Sequence, residues 1–201
     1  MADGDPEDSL ERSLAAALER IGNALATRLR RNATDRGLSA LQLQILQQLP
    51  RLPLGDRTVS RLALRLQVTQ PTVSDAVATL VGKGLLVRAP DRVDGRRSQL
   101  QPTAAAITLI SAADPVDAVA QLLGQLDKAR IATTLEVLLD LIAEMDAAGM
   151  ISRTAACTTC RFFLRDHHPD PAAPHHCRLL DQPLSTGDLR VHCPEHEYAA
   201  S

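Results

Sequence analysis

Tryptophan is absent, and the remaining aromatic residues number three in a chain of 201: Phe162, Phe163 and Tyr198. A core built without rings must be filled by Leu, Val, Ile and Ala, which at 45% hydrophobic residues favours a helical body. No run of 18 uncharged apolar residues occurs, and the start MADGDPEDSLER is acidic where a secretory leader would be basic and then apolar. A cytoplasmic protein with no membrane partner is expected. Cysteine and histidine are missing from the first three quarters of the chain; all four cysteines and all six histidines lie beyond residue 153. There is no HExxH, no Gly-rich phosphate loop and no nucleophile with a base at recognisable spacing, so the chain is not expected to be an enzyme.

What is present is unevenly placed. The formal charge is −2, yet residues 51–100 carry nine basic side chains against four aspartates. A basic segment in a near-neutral protein points to a polyanion-binding face. Ahead of it, Leu10, Leu14, Leu18, Ile21, Leu25 and Leu29 recur at three- and four-residue steps, one apolar stripe on a long helix. Ser39 is placed to cap a second helix, which Pro50 and Pro53 end. Thr58 opens a third, with Leu62, Leu64 and Leu66 expected inward and Arg57, Arg61 and Arg65 outward. Thr69-Gln70-Pro71 starts a fourth helix, since proline is tolerated in a first turn, and Gly84 stops it.

Residues 85–88 and 98–103 read as two strands about an Asp94-Gly95 turn, a hairpin with a basic tip. One helix follows to about Ala112. Beyond the Asp114-Pro115 break, one or two more carry an apolar stripe from Leu122 to Met145. These stripes are too long for so small a winged domain to cover, and a homodimer would bury them. The expected fold is mainly α with a small β-hairpin wing, divided into an N-terminal dimerisation helix (8–37), a winged helix-turn-helix (38–103), C-terminal dimerisation helices (104–150) and a small metal-tied module (154–201).

In such a fold the second helix of the pair enters the major groove, which assigns base-edge contacts to Gln70, Thr72, Ser74 and Asp75. Arg57, Arg61, Arg65 and Arg88 would meet phosphates, and Arg96 and Arg97 at the wing tip would enter a minor groove. The run from Leu38 to about Thr103, including LALRLQVTQPTVSDAVATLVGKGLLVRAPDRVDGRRSQLQPT, resembles the DNA-binding core of the MarR family of bacterial regulators. The resemblance implies a homodimer binding a pseudo-palindromic double-stranded DNA operator, usually as a repressor relieved by a small ligand or by thiol oxidation. It also makes Asp94 and Arg96 the family's wing pair. A Cys-rich tail is not a usual part of that family.

The tail reads Cys157-Thr-Thr-Cys160, then sixteen residues to Cys177 and fifteen to Cys193. In a reducing compartment such cysteines are ligands or redox thiols before they are disulfide partners. Four thiolates form the simplest site, with His196 or His176 as substitutes at one position. Zinc is the expected ion, because metal binding can supply on the order of 10 kcal/mol of folding free energy to a segment with little core. An iron–sulfur cluster, which also takes four thiolates at irregular spacing, is the alternative. The expected function is sequence-specific transcriptional regulation with DNA affinity tuned by this site. The alternatives are a DNA-anchored scaffold whose zinc-stapled tail recruits a protein partner, and a redox or iron sensor.

Overall fold

The computed structural model describes residues 9–90, 98–111 and 115–199. They divide between two compact units, one drawn from Met1–Leu62 and Gln70–Ala118, the other from Ala63–Thr69 and Val119–Ser201.

The first unit begins with α1 (Leu10–Thr34), whose N-cap Ser9 side chain accepts from the Arg12 amide at 3.3 Å. Gly37, at φ +64°, closes α1: the Leu38 amide reaches back to the Ala33 carbonyl at 2.9 Å, a reversal that a side chain at residue 37 would strain. Ser39 and Gln42 then form a reciprocal capping box for α2 (Ala40–Gln48), and a short turn containing Pro50 ends it. After α3 (Val59–Leu66) comes α4 (Gln70–Gly82), with Pro71 in its first turn as the sequence predicts. Gly84, at φ +69°, repeats the reversal and sends the chain into β1 (Leu86–Pro90). This strand pairs antiparallel with β2 (Ser98–Pro102), Leu86 opposite Pro102 and Pro90 opposite Ser98. Thr103 caps α5 (Ala104–Ser111).

Leu43, Ile45, Leu46, Leu49, Val73, Val77, Leu80, Leu86 and Leu100 are fully buried, an aromatic-free core as the composition requires. Along α1, by contrast, only Ala33 is buried; Leu10 is 80% exposed and Ile21 54%. Of the predicted stripe, Leu18, Leu25 and Leu29 are half-buried, while Leu10, Leu14 and Ile21 are exposed.

One expectation fails on α3. Leu62 is buried, but Leu64 is 56% exposed. Residues two apart on an α-helix stand about 200° apart round its axis, so Leu62, Leu64 and Leu66 cannot share a face; Ala63 takes the second inward position.

Helix α6 (Pro115–Leu123) leads through a turn to α7 (Lys128–Ala147) of the second unit, capped by Asp127 and closed by Gly149 at φ +68°. The tail then folds back along α7. It is a three-stranded antiparallel sheet, β3 (Phe163–Leu164), β4 (His175–Cys177) and β5 (Gln182–Leu184), with single turns of tighter helix at Cys157–Thr159 and Thr186–Asp188. Leu139 of α7 is fully buried in a cluster with Ala156, Cys157, Leu184 and Leu189, against which Leu135 and Phe163 pack. Among the described residues no helix is long and apolar enough to cross a membrane.

Candidate nucleic-acid interface and four-cysteine cavity

On α4, Val73, Ala76, Val77 and Leu80 point inward at helical spacing. That fixes the opposite side: Gln70, Thr72, Asp75 and Thr79 are exposed and Ser74 is half-buried. The Thr79 hydroxyl donates to the Asp75 carbonyl within the helix at 3.0 Å. Arg88 is exposed on β1. Arg57 and Arg61 are more constrained than the sequence suggests. The Arg57 guanidinium donates to the Leu52 carbonyl at 3.1 Å, and Arg61 pairs with Asp56 at 3.1 Å. Arg57 thus helps hold the turn after α2, while Arg61 keeps an exposed head. Asp94, Arg96 and Arg97 lie outside the described residues.

In the second unit all four cysteines are free and line one cavity of about 450 Å³. Cys157 and Cys160 flank a single helical turn, Cys177 ends β4, and Cys193 follows from a loop anchored by its amide on the Ala155 carbonyl at 2.7 Å. The Arg190 amide donates to Cys157 Sγ at 3.2 Å. Burial pushes the Cys157 thiol above its ordinary pKa, the Arg190 amide opposes this, and the thiols of Cys193, Cys160 and Cys177 push it further up. Among the described residues, no three His, Cys, Asp or Glu side chains converge closely enough to share one ion. The sulfurs surround a space and do not meet at a point.

The two candidate histidines stand elsewhere. His196 hydrogen-bonds Thr159 at 2.9 Å and lies edge-on to Tyr198, its ring centroid 4.5 Å away. Burial holds its pKa below the ordinary value, with the Thr159 contact and Asp146 opposing. His176 Nδ1 lies 3.1 Å from His168 Nε2, and its Nε2 lies 3.6 Å from Asp181. Neither residue lines the cavity.

Sequence reasoning did not find what fastens the tail to α7. Thr158 bonds the Leu139 carbonyl, Arg165 pairs with Asp140, Thr186 bonds Glu136, and buried His175 lies 3.9 Å from Glu136. The one available signal was the spacing of Glu136 and Asp140, acidic residues one turn apart on a single face of α7.

A helix pair followed by a two-stranded wing defines the winged-helix class of DNA-binding folds. Residues 36–97, just under a third of the chain, match the model of the MarR family. Solved structures agree on the fold. That of the S. aureus MepR–DNA complex is 22% identical with a TM-score of 0.57, covering 70% of this chain and 99% of its own. CouR from Rhodococcus jostii RHA1, bound to p-coumaroyl-CoA, gives 18% and 0.55, covering 67% and 94%. The transcriptional regulator BldR from Sulfolobus solfataricus gives 24% and 0.51, covering 67% and 95%. No curated protein matches the chain in sequence. The family and these neighbours are regulators, not enzymes.

Proposed function

We propose that the chain is a homodimeric, sequence-specific DNA-binding transcriptional regulator, a repressor, whose affinity for its operator is tuned by a metal centre on the four cysteines. The observation that carries the DNA-binding part is the match of residues 36–97 to the MarR family together with the exposed polar side of α4. Gln70 and Thr72 offer amide and methyl groups to base edges, while Arg61, Arg88, Arg96 and Arg97 serve the backbone. The exposed stripe of α1 supports the dimer, since large apolar patches are seldom left in water.

The tuning part rests on where the tail is fastened. A module recruited only to display a surface needs no bond to α7, whereas this one is held to that helix at Glu136, Leu139 and Asp140. Selection from random duplexes with the full chain tests the first part. The expected outcome is an inverted repeat with half-sites about ten base pairs apart; no enrichment overturns it. Stripping the metal with a chelator under nitrogen tests the second. A change in affinity for the selected duplex is expected, and an unchanged affinity reduces the tail to a scaffold.

A further inference from the structure

Cysteine sulfurs about a single zinc ion lie about 2.3 Å from the metal, and hence about 3.8 Å from one another. Four sulfurs at that spacing nearly touch, and only the ion fits between them. The arrangement in this chain is of another kind. Cys157, Cys160, Cys177 and Cys193 come from three separate segments and stand on the wall of a chamber of about 450 Å³. The rest of that wall is largely apolar, with Phe162, Leu179, Leu180, Leu184 and Leu189 among its residues.

We infer that this chamber holds an iron–sulfur cluster, with Cys157, Cys160, Cys177 and Cys193 as its four ligands. A cluster needs four thiolates held apart by its own iron and sulfide, in a site shielded from water. The chamber places the four thiols round one space, with buried Cys157, Leu184 and Leu189 in its wall. The Arg190 amide on Cys157 Sγ supplies a hydrogen bond of the type that stabilises charge on cluster sulfur. Histidine is not required: His176 is engaged with His168 and Asp181, His196 with Thr159, and neither reaches the wall.

The inference rests on the metal-centre reading above and names its chemistry. To test it, the full chain is purified under nitrogen, and iron, zinc and acid-labile sulfide are counted per chain alongside the visible spectrum. The expected result is iron and sulfide in equal amounts at two or more per chain, with broad visible absorption. His176→Ala and His196→Ala should keep the full iron content, and Cys177→Ser and Cys193→Ser should lose it. Because a serine variant can fail to fold, chelated wild-type chain is also supplied with ferrous iron and sulfide; recovery of the spectrum is expected. One zinc per chain without sulfide, failure to take up iron and sulfide, or loss of iron in either histidine variant overturns the inference. Duplex selection on the same preparations keeps the two readings apart. A chain that selects DNA but carries zinc sinks only the cluster, and a brown chain that selects none sinks only the regulator.

Discussion

The Thr158 hydroxyl, between the first two cysteines, donates to the main-chain carbonyl of Leu139 in the middle of α7 at 3.1 Å. This bond ties the CxxC turn to a long helix in the same unit. Replacing Thr158 by Val keeps the shape and removes the donor, at a cost of about 1 kcal/mol. Urea unfolding of the second unit should show that loss. The DNA response to metal removal should also weaken, whereas Thr158→Ser should retain it.

Leu139 is fully buried where α7 meets the tail. Leu139→Ala should cost ~3 kcal/mol through lost transfer free energy and an unfilled cavity. Hydrogen exchange would locate the loss in α7 and residues 154–199, with the amides of α2 and α4 protected as before.

Arg96→Ala with Arg97→Ala tests the wing. Binding to all duplexes should weaken alike, and the slope of log affinity against log salt should fall by about 0.9 for each phosphate no longer neutralised. An unchanged slope would remove the wing from the interface.

Leu14 and Ile21 lie exposed on α1. Leu14→Glu with Ile21→Glu should convert a dimer to a helical monomer in sedimentation, since each apolar side chain withdrawn from water is worth about 2 kcal/mol. A sedimentation coefficient matching wild type would rule out this stripe as the dimer contact.

His196 provides a pH dependence. Burial lowers its pKa in the folded chain, so the unfolded chain takes up the proton first as pH falls. Above the ordinary histidine value of about 6.5 this residue costs no stability. Stability should fall as pH drops through that value and level off below the folded pKa. Urea midpoints of wild type and His196→Gln, compared from mildly alkaline to mildly acidic pH, should diverge in that window.

The winged-helix part was readable in sequence because its signals are local. Ser39 and Gln42 cap α2 three residues apart, Pro71 and Gly84 bracket α4, and the inward positions of α4 repeat at helical spacing. Leu64 was misjudged because an alternating pattern was read onto a helix. The four cysteines were legible as a group, but not their separation round a chamber, which depends on pairings such as Phe163 with Cys177 and on the Cys193 amide reaching Ala155. The fastening of the tail was likewise hidden, since Thr186 and Glu136 are fifty residues apart and neither has a periodicity to declare the other.

Helix α7 has two apolar sides. Leu135 and Leu139 face the cysteine-bearing cluster, while Val137 and Leu141, roughly half a turn round the axis, are exposed. If the second side is where two chains meet, loading the chamber and pairing the chains are linked equilibria on one rod of backbone. Reciprocity then requires that whatever factor cofactor loading imposes on the dimer constant, dimerisation imposes on the loading constant. The occupancy of the centre would thus depend on how much of the protein the cell contains, as well as on how much metal.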